Sequence, residues 1–139
     1  METWQFYALG SAIFAALTAI LGKIGIAGVP ADLGTFIRTI VVVLMAGCLA
    51  ASFGQFSALA TISAKSWIFL TLSGLATGAS WLFYYRALQM GPAAKVAPID
   101  KMSVVLVAIF GVIFLGETLS LLHWAGIALI GAGVLILTL

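Results

Sequence analysis

Charged side chains are scarce in this chain: six lysines and arginines and four aspartates and glutamates among 139 residues, 7% of the whole. Soluble domains carry about a quarter of their residues as charges, so this sequence cannot supply the polar skin that folding in water requires. With 64% hydrophobic residues and a mean hydropathy of +1.28, the deficit excludes a soluble globular domain. It points to a protein that uses the lipid bilayer as its solvent. A net charge of only +2 also argues against nucleic acid as a partner.

Cysteine and histidine occur once each, as Cys48 and His123. A lone cysteine has no disulfide partner, and no Cys/His cluster offers metal-ligand spacing. Cys48, within VVVLMAGCLAA, reads as buried apolar packing. No nucleophile is accompanied by a base and no phosphate-binding glycine loop occurs. Hence no catalytic residues, metal or cofactor are expected, and nothing supports an enzyme. The N-terminus METWQFYALG lacks the basic region of a cleavable signal, so the first hydrophobic segment is expected to act as its own targeting signal.

What the chain does have is long apolar runs. Hydropathy breaks at AGVPADLG (27–34), FGQFSALATISAKS (53–66), QMGPAA (89–94) and GETLS (116–120), leaving five spans at residues 4–28, 33–53, 67–90, 93–115 and 121–139. Each is long enough to cross a hydrocarbon core of about 30 Å at about 1.5 Å per residue. Unsatisfied backbone groups are too costly in lipid for anything but helix or a closed barrel, and the alternation of a barrel is missing. The expected fold is an all-α integral membrane protein with five transmembrane helices, one domain over residues 1–139. Asp32 is expected to cap the second helix and Ser120 the fifth. Hydrophobicity continues to the last residue, so no aqueous domain is expected.

An odd number of spans puts the two ends of the chain on opposite sides of the membrane. Trp4, Trp67 and Trp124 start helices on the N-terminal side, where indoles suit the headgroup layer. Trp81 lies about 21 Å along the axis from Trp67, beyond that belt. Lys23, Arg38, Arg86, Lys95 and Lys101 belong to the opposite half, which a positive-inside count makes cytoplasmic.

Charges within a span cost several kcal/mol unless they snorkel, pair or line a wet cavity. Antiparallel packing brings Lys23 at the end of the first helix, Arg38 at the start of the second and Arg86 at the end of the third toward Lys95, Asp100 and Lys101 in the fourth. The result is a basic vestibule with one carboxylate. Lys95, Arg86 and Arg38 either snorkel to the interface or serve this site. Asp100 is too short to snorkel and needs a basic partner, Lys101, Lys23 or Arg86, or water; it serves either a structural pair or a site role that includes proton coupling. Pro98 removes a helical hydrogen bond and frees the Ala94 carbonyl, the kind of interruption found beside transporter binding sites.

At 100° per residue, Asp100 and Ser103 share a stripe and Lys101 lies on the neighbouring face with Pro98. Ser73, Thr77, Ser80, Trp81 and Tyr84 fall on one side of the third helix, opposite Arg86. Such a stripe either bonds to neighbouring helices or lines a wet path. Ala12, Ala16 and Ala19, Gly74 and Gly78, and Ala128 and Ala132 mark expected faces of close helix contact.

The segment WLFYYRALQMGPAAKVAPIDKMSVVLVAIFGVIFLGE (81–117), followed by WAGIALIGAGVLIL, resembles the EamA-like repeat of the drug/metabolite transporter superfamily, in particular its small five-helix bacterial and archaeal members. AALTAILGKIGIAGV and TFIRTIVVV extend the likeness over the chain. The resemblance implies a multi-pass protein of a bacterial or archaeal cell membrane and a secondary transporter. Larger relatives join two five-helix repeats in inverted orientation around a central cavity. This chain corresponds to one, a half-transporter, so a second copy or a separate partner chain is implied, a homodimer in antiparallel arrangement being favoured. The four-helix multidrug members use a first-helix glutamate for cations, whereas the comparable span here has Lys23 and no acid.

Two functions follow. One is a transporter of a small polar metabolite, proton-linked through Asp100, with Lys23, Arg38, Thr77, Ser80, Trp81, Tyr84, Arg86, Lys95, Asp100, Lys101 and Ser103 lining the substrate and proton pathway. The other is a non-transporting membrane subunit, or a carrier of a lipid-linked anionic substrate.

Overall fold

A computed structural model describes residues 2–139 of the chain. The helices are α1 (Thr3–Gly25), α2 (Ala31–Ser52), α3 (Ala64–Met90), α4 (Ala93–Asp100), α5 (Met102–Leu115) and α6 (Leu121–Thr138), with a short 3₁₀ helix at Gln55–Thr61. There is no strand among the described residues. Five helical spans are long and apolar enough to cross a membrane, α4 and α5 together making the fourth. Large apolar side chains stay exposed along every span, as expected where lipid rather than water is the neighbour.

The ends of the spans differ from expectation for local reasons. α1 stops at Gly25, earlier than residue 28, because residues 26–29 form a turn in which Gly28 takes φ 76°, a conformation only glycine adopts cheaply. α2 and α3 start earlier than expected, at Ala31 and Ala64. The second break is not plain loop. Gly54 at φ 64° ends α2, and the Ser57 and Thr61 hydroxyls donate to the Gly54 and Ala58 carbonyls within the 3₁₀ turns.

Contacts group the chain into two compact units, residues 1–20 with 90–139, and residues 21–89. In the first, α6 packs against both α4 and α5. Gly131 of α6 is buried, and a Cβ there would sit 3.4 Å from Val105 Cγ2. α5 closes with Gly116 at φ 68°, and the Gly116 and Glu117 N–H groups both return to the Gly111 carbonyl. Ser120 caps α6, as its position predicts: its Oγ accepts from the His123 N–H and lies 2.6 Å from His123 Nδ1.

The fourth span is interrupted at Lys101, three residues past Pro98. Lys101 has φ −70° and ψ −5°, its N–H donates to the Pro98 carbonyl, and its own carbonyl accepts from the Val104 N–H. Both are three-residue bonds. The span thus makes a tight 3₁₀-like turn where α4 passes into α5, in a segment where Pro98 has no N–H to give the Ala94 carbonyl.

In the second unit, Ile26, Ala31 and Tyr85 form a small core with Tyr84 against it, and Thr35 and Leu88 are also buried. Two packing expectations fail. Cys48 is exposed on α2, because this part of α2 turns its small and apolar side chains outward rather than into a core. Gly74 and Gly78 of α3 have open space where a Cβ would stand, so they seat no neighbouring helix of the same chain.

Candidate functional site

The second unit gathers polar groups at the ends of α1 and α3 and the start of α2. On α3, Trp81, Tyr85 and Leu88 recur at four- and three-residue steps and so share one face. Tyr85 and Leu88 are buried there, and Trp81 is half-buried. Tyr84 lies on the flank, its ring edge-on to Tyr85 with centroids 6.3 Å apart. Tyr85 approaches α1 where that helix has no side chain: a Cβ on Gly22 would lie 3.1 Å from Tyr85 Oη.

Arg38, two turns into α2, is half-buried with its guanidinium carbon 4.0 Å from the centroid of the Trp81 ring and 5.7 Å from that of Tyr85. A contact of this kind contributes between about 0.5 and 2 kcal/mol, which offsets part of the cost of holding the charge within a span.

One helical turn further along α3, Arg86 Nη2 donates to both carboxylate oxygens of Asp32, at 2.9 and 3.0 Å. Asp32 was expected to cap α2, and it does not. The N-cap is Pro30 with no side-chain cap bond, and Asp32 sits one residue inside the first turn, where its carboxylate faces the favourable end of the helix dipole and reaches across to α3.

The C-terminal end of α3 is tied down by two side chains. Lys23 Nζ donates to the Leu88 carbonyl, supplying a cation where the helix dipole favours one. Gln89 Nε2 donates to the carbonyls of Ile26 and Val29 in the turn between α1 and α2. Between these groups lies a cleft of about 270 Å³, lined by Lys23, Ile26, Ala27, Gly28 and Gln89.

The other residues expected at the site are arranged differently. Thr77 donates its hydroxyl to the Ser73 carbonyl of its own helix, which satisfies it locally. Ser80 is exposed, as are Lys95 and Ser103 in the first unit. Asp100 pairs with Lys101, Nζ to Oδ2, at 3.3 Å. Neighbouring residues on a regular helix point about 100° apart; the interruption at Lys101 lets these two meet.

Asp32, Tyr85 and Gln89 belong to this cluster although residue-by-residue reading passes over them. The 81–85–88 spacing on α3, with Gly22 opposite, is the pattern that carries Tyr85. Nothing local signals the reach of Gln89.

A family profile described as "EamA-like transporter family" matches residues 2–139. The chain is 54% identical over 136 residues to an "Uncharacterized transporter in cobO 3'region" of Sinorhizobium sp, covering 98% of this chain and 96% of that protein. It is 30% identical over 80 residues to the "Probable 4-amino-4-deoxy-L-arabinose-phosphoundecaprenol flippase subunit ArnE" of Proteus mirabilis (strain HI4320), covering 57% of this chain and 71% of that one. No solved structure matches.

Proposed function

Because the chain belongs to the EamA-like transporter family, we propose that it is a secondary active transporter of a small polar metabolite. Residues 1–139 act as one half-transporter domain, and two copies alternate access to a shared site. The observation that carries this reading is the concentration of Lys23, Asp32, Arg38, Arg86 and Gln89 toward the ends of three membrane-spanning helices, with Lys23 and Gln89 lining an open cleft. Ion pairs and unspent donors at this place are costly in lipid and useful to a polar solute.

Lys95, Asp100, Lys101 and Ser103, with Thr77 and Ser80, belong to the same pathway in this reading. Asp100, in a span already interrupted by Pro98 and Lys101, is the proton-linked group. In this reading an inverted second copy supplies access from the opposite side of the membrane.

Purified protein in liposomes tests the reading. A saturable, solute-selective flux is expected, dependent on an imposed pH gradient, with Asp100→Asn abolishing the dependence on pH. Absence of flux for every class of solute, with the protein folded, overturns it.

A second reading is favoured by one observation, the partial similarity to the Proteus mirabilis flippase subunit. Here the chain is a membrane subunit handling a lipid-linked anionic substrate. Flux of a soluble solute by the chain alone counts against it; headgroup translocation only with an added partner chain supports it.

A further inference from the structure

Arg38 is a half-buried cation of the second unit. The chain contains four acidic side chains, Glu2, Asp32, Asp100 and Glu117. Asp32 is engaged by Arg86 and Asp100 by Lys101, and among the described residues no carboxylate lies within ion-pair distance of Arg38. What holds it is aromatic: the guanidinium lies over Trp81 and near Tyr85. A cation–ring contact takes up none of the five N–H donors of the planar fork as a conventional hydrogen bond.

A basic side chain in this half-buried place has two fates. If it only snorkels, its head needs water and no fixed orientation. Arg38 instead lies over an indole on another helix, which holds the guanidinium in place before any ligand arrives. A pre-oriented guanidinium edge matches a planar or tetrahedral oxyanion through two parallel hydrogen bonds, which an ammonium cannot do.

We propose that Arg38, held on Trp81, is the residue that recognises an anionic group, a carboxylate or a phosphate monoester, on the solute this protein binds. The inference rests on the transporter reading for its setting and names the substrate class. Arg38 sets specificity, and Trp81 is its positioning residue.

Binding decides the matter without requiring flux. Full-length protein in phosphatidylcholine nanodiscs is titrated by calorimetry and thermal shift with succinate, succinamide, glycerol 3-phosphate and glycerol. The acids are expected to bind and their neutral counterparts not. Arg38→Lys, which keeps charge and stem, is expected to weaken the acids about ten- to a hundredfold, the loss of one charge-assisted bond. Trp81→Phe, which keeps a smaller ring, is expected to weaken them less and to leave the preference for acids intact.

A second arm adds a polyprenyl phosphate to the nanodiscs. Saturable binding there alone assigns the anion to a lipid headgroup; binding of the soluble acids assigns it to a free metabolite. Equal binding of acids and neutral counterparts by the native protein, no binding of any anion in either arm, or unchanged affinity in folded Arg38→Lys each overturns the inference. Anion binding that depends on Arg38 without flux would overturn the transporter reading and leave this inference standing. Flux of a neutral or cationic solute would do the reverse.

Discussion

Asp32 and Arg86, 54 residues apart in sequence, are joined through one guanidinium nitrogen that reaches both carboxylate oxygens at 2.9 and 3.0 Å. The pair ties the first turn of α2 to the last turns of α3. Its side chains are 63% and 54% exposed, and exposed pairs contribute less than about 1 kcal/mol. Its value is therefore in fixing where α2 meets α3 more than in stability.

Asp32→Asn and Arg86→Gln should each lower stability by less than about 1 kcal/mol, and the double variant should show a coupling no larger. Thermal unfolding in detergent measures this. A coupling above about 2 kcal/mol would mean that lipid or a partner shields the pair from water.

The bulk of the fold was legible because lipid imposes a simple rule. A run of about twenty apolar residues must be helical, and every such run in the chain is. The ends were less legible. An acid beside a helix start reads as a cap by local logic, whereas Asp32 is claimed by an arginine that no nearby residue announces. Cys48 shows the same weakness in reverse: apolar neighbours suggest burial, yet in a membrane segment an apolar position can equally face lipid. At the site, the charges stood out through their rarity. The aromatic and amide groups around them did not, since Tyr85 and Gln89 are ordinary residues until α1 is laid beside them.

The contact between Gly22 and Tyr85 should tolerate little added bulk. A Cβ on Gly22 would lie 3.1 Å from Tyr85 Oη and 3.4 Å from Cζ, so Gly22→Ala asks for a shift of a few tenths of an ångström. Gly22→Leu cannot be housed without moving the ring. Overpacking of this kind costs about 1–3 kcal/mol. Gly22→Leu should melt well below the native protein, and adding Tyr85→Ala should recover part of the loss. Absence of any recovery would show that the leucine is excluded by something other than the ring.

Gln89 offers two donors to the Ile26 and Val29 carbonyls, so the chemistry of its replacement decides the outcome. Gln89→Leu removes the bonds and should cost about 1–3 kcal/mol. Gln89→Glu should cost more at neutral pH, because a carboxylate has only acceptors to set against two acceptors. Acidification should restore part of that loss, since a protonated carboxyl regains one donor, and should leave Gln89→Leu unaffected. Melting curves of the two variants across pH check the sign.

Asp100 and Lys101 meet at the break between α4 and α5, and the break is expected to depend on Pro98, three residues before it. Proline at that position lacks the N–H that would bond to Ala94, and the chain answers with three-residue bonds from Lys101 to Pro98 and from Val104 to Lys101. Pro98→Ala restores the missing donor and removes a residue that costs about 3 kcal/mol in a helix interior. The expected outcome is a continuous helix across the fourth span, with slower amide exchange at Lys101 and Met102 and a higher melting temperature. Continuity has a second consequence. Adjacent side chains on an unbroken helix diverge by about 100°, so Asp100 should lose its lysine, and a pH dependence that rests on the pair should change together with the exchange rates. If exchange slows and the pH dependence of transport does not move, the pair is a by-product of the break and proton coupling lies elsewhere. If exchange does not slow, packing rather than the proline holds the span open at Lys101.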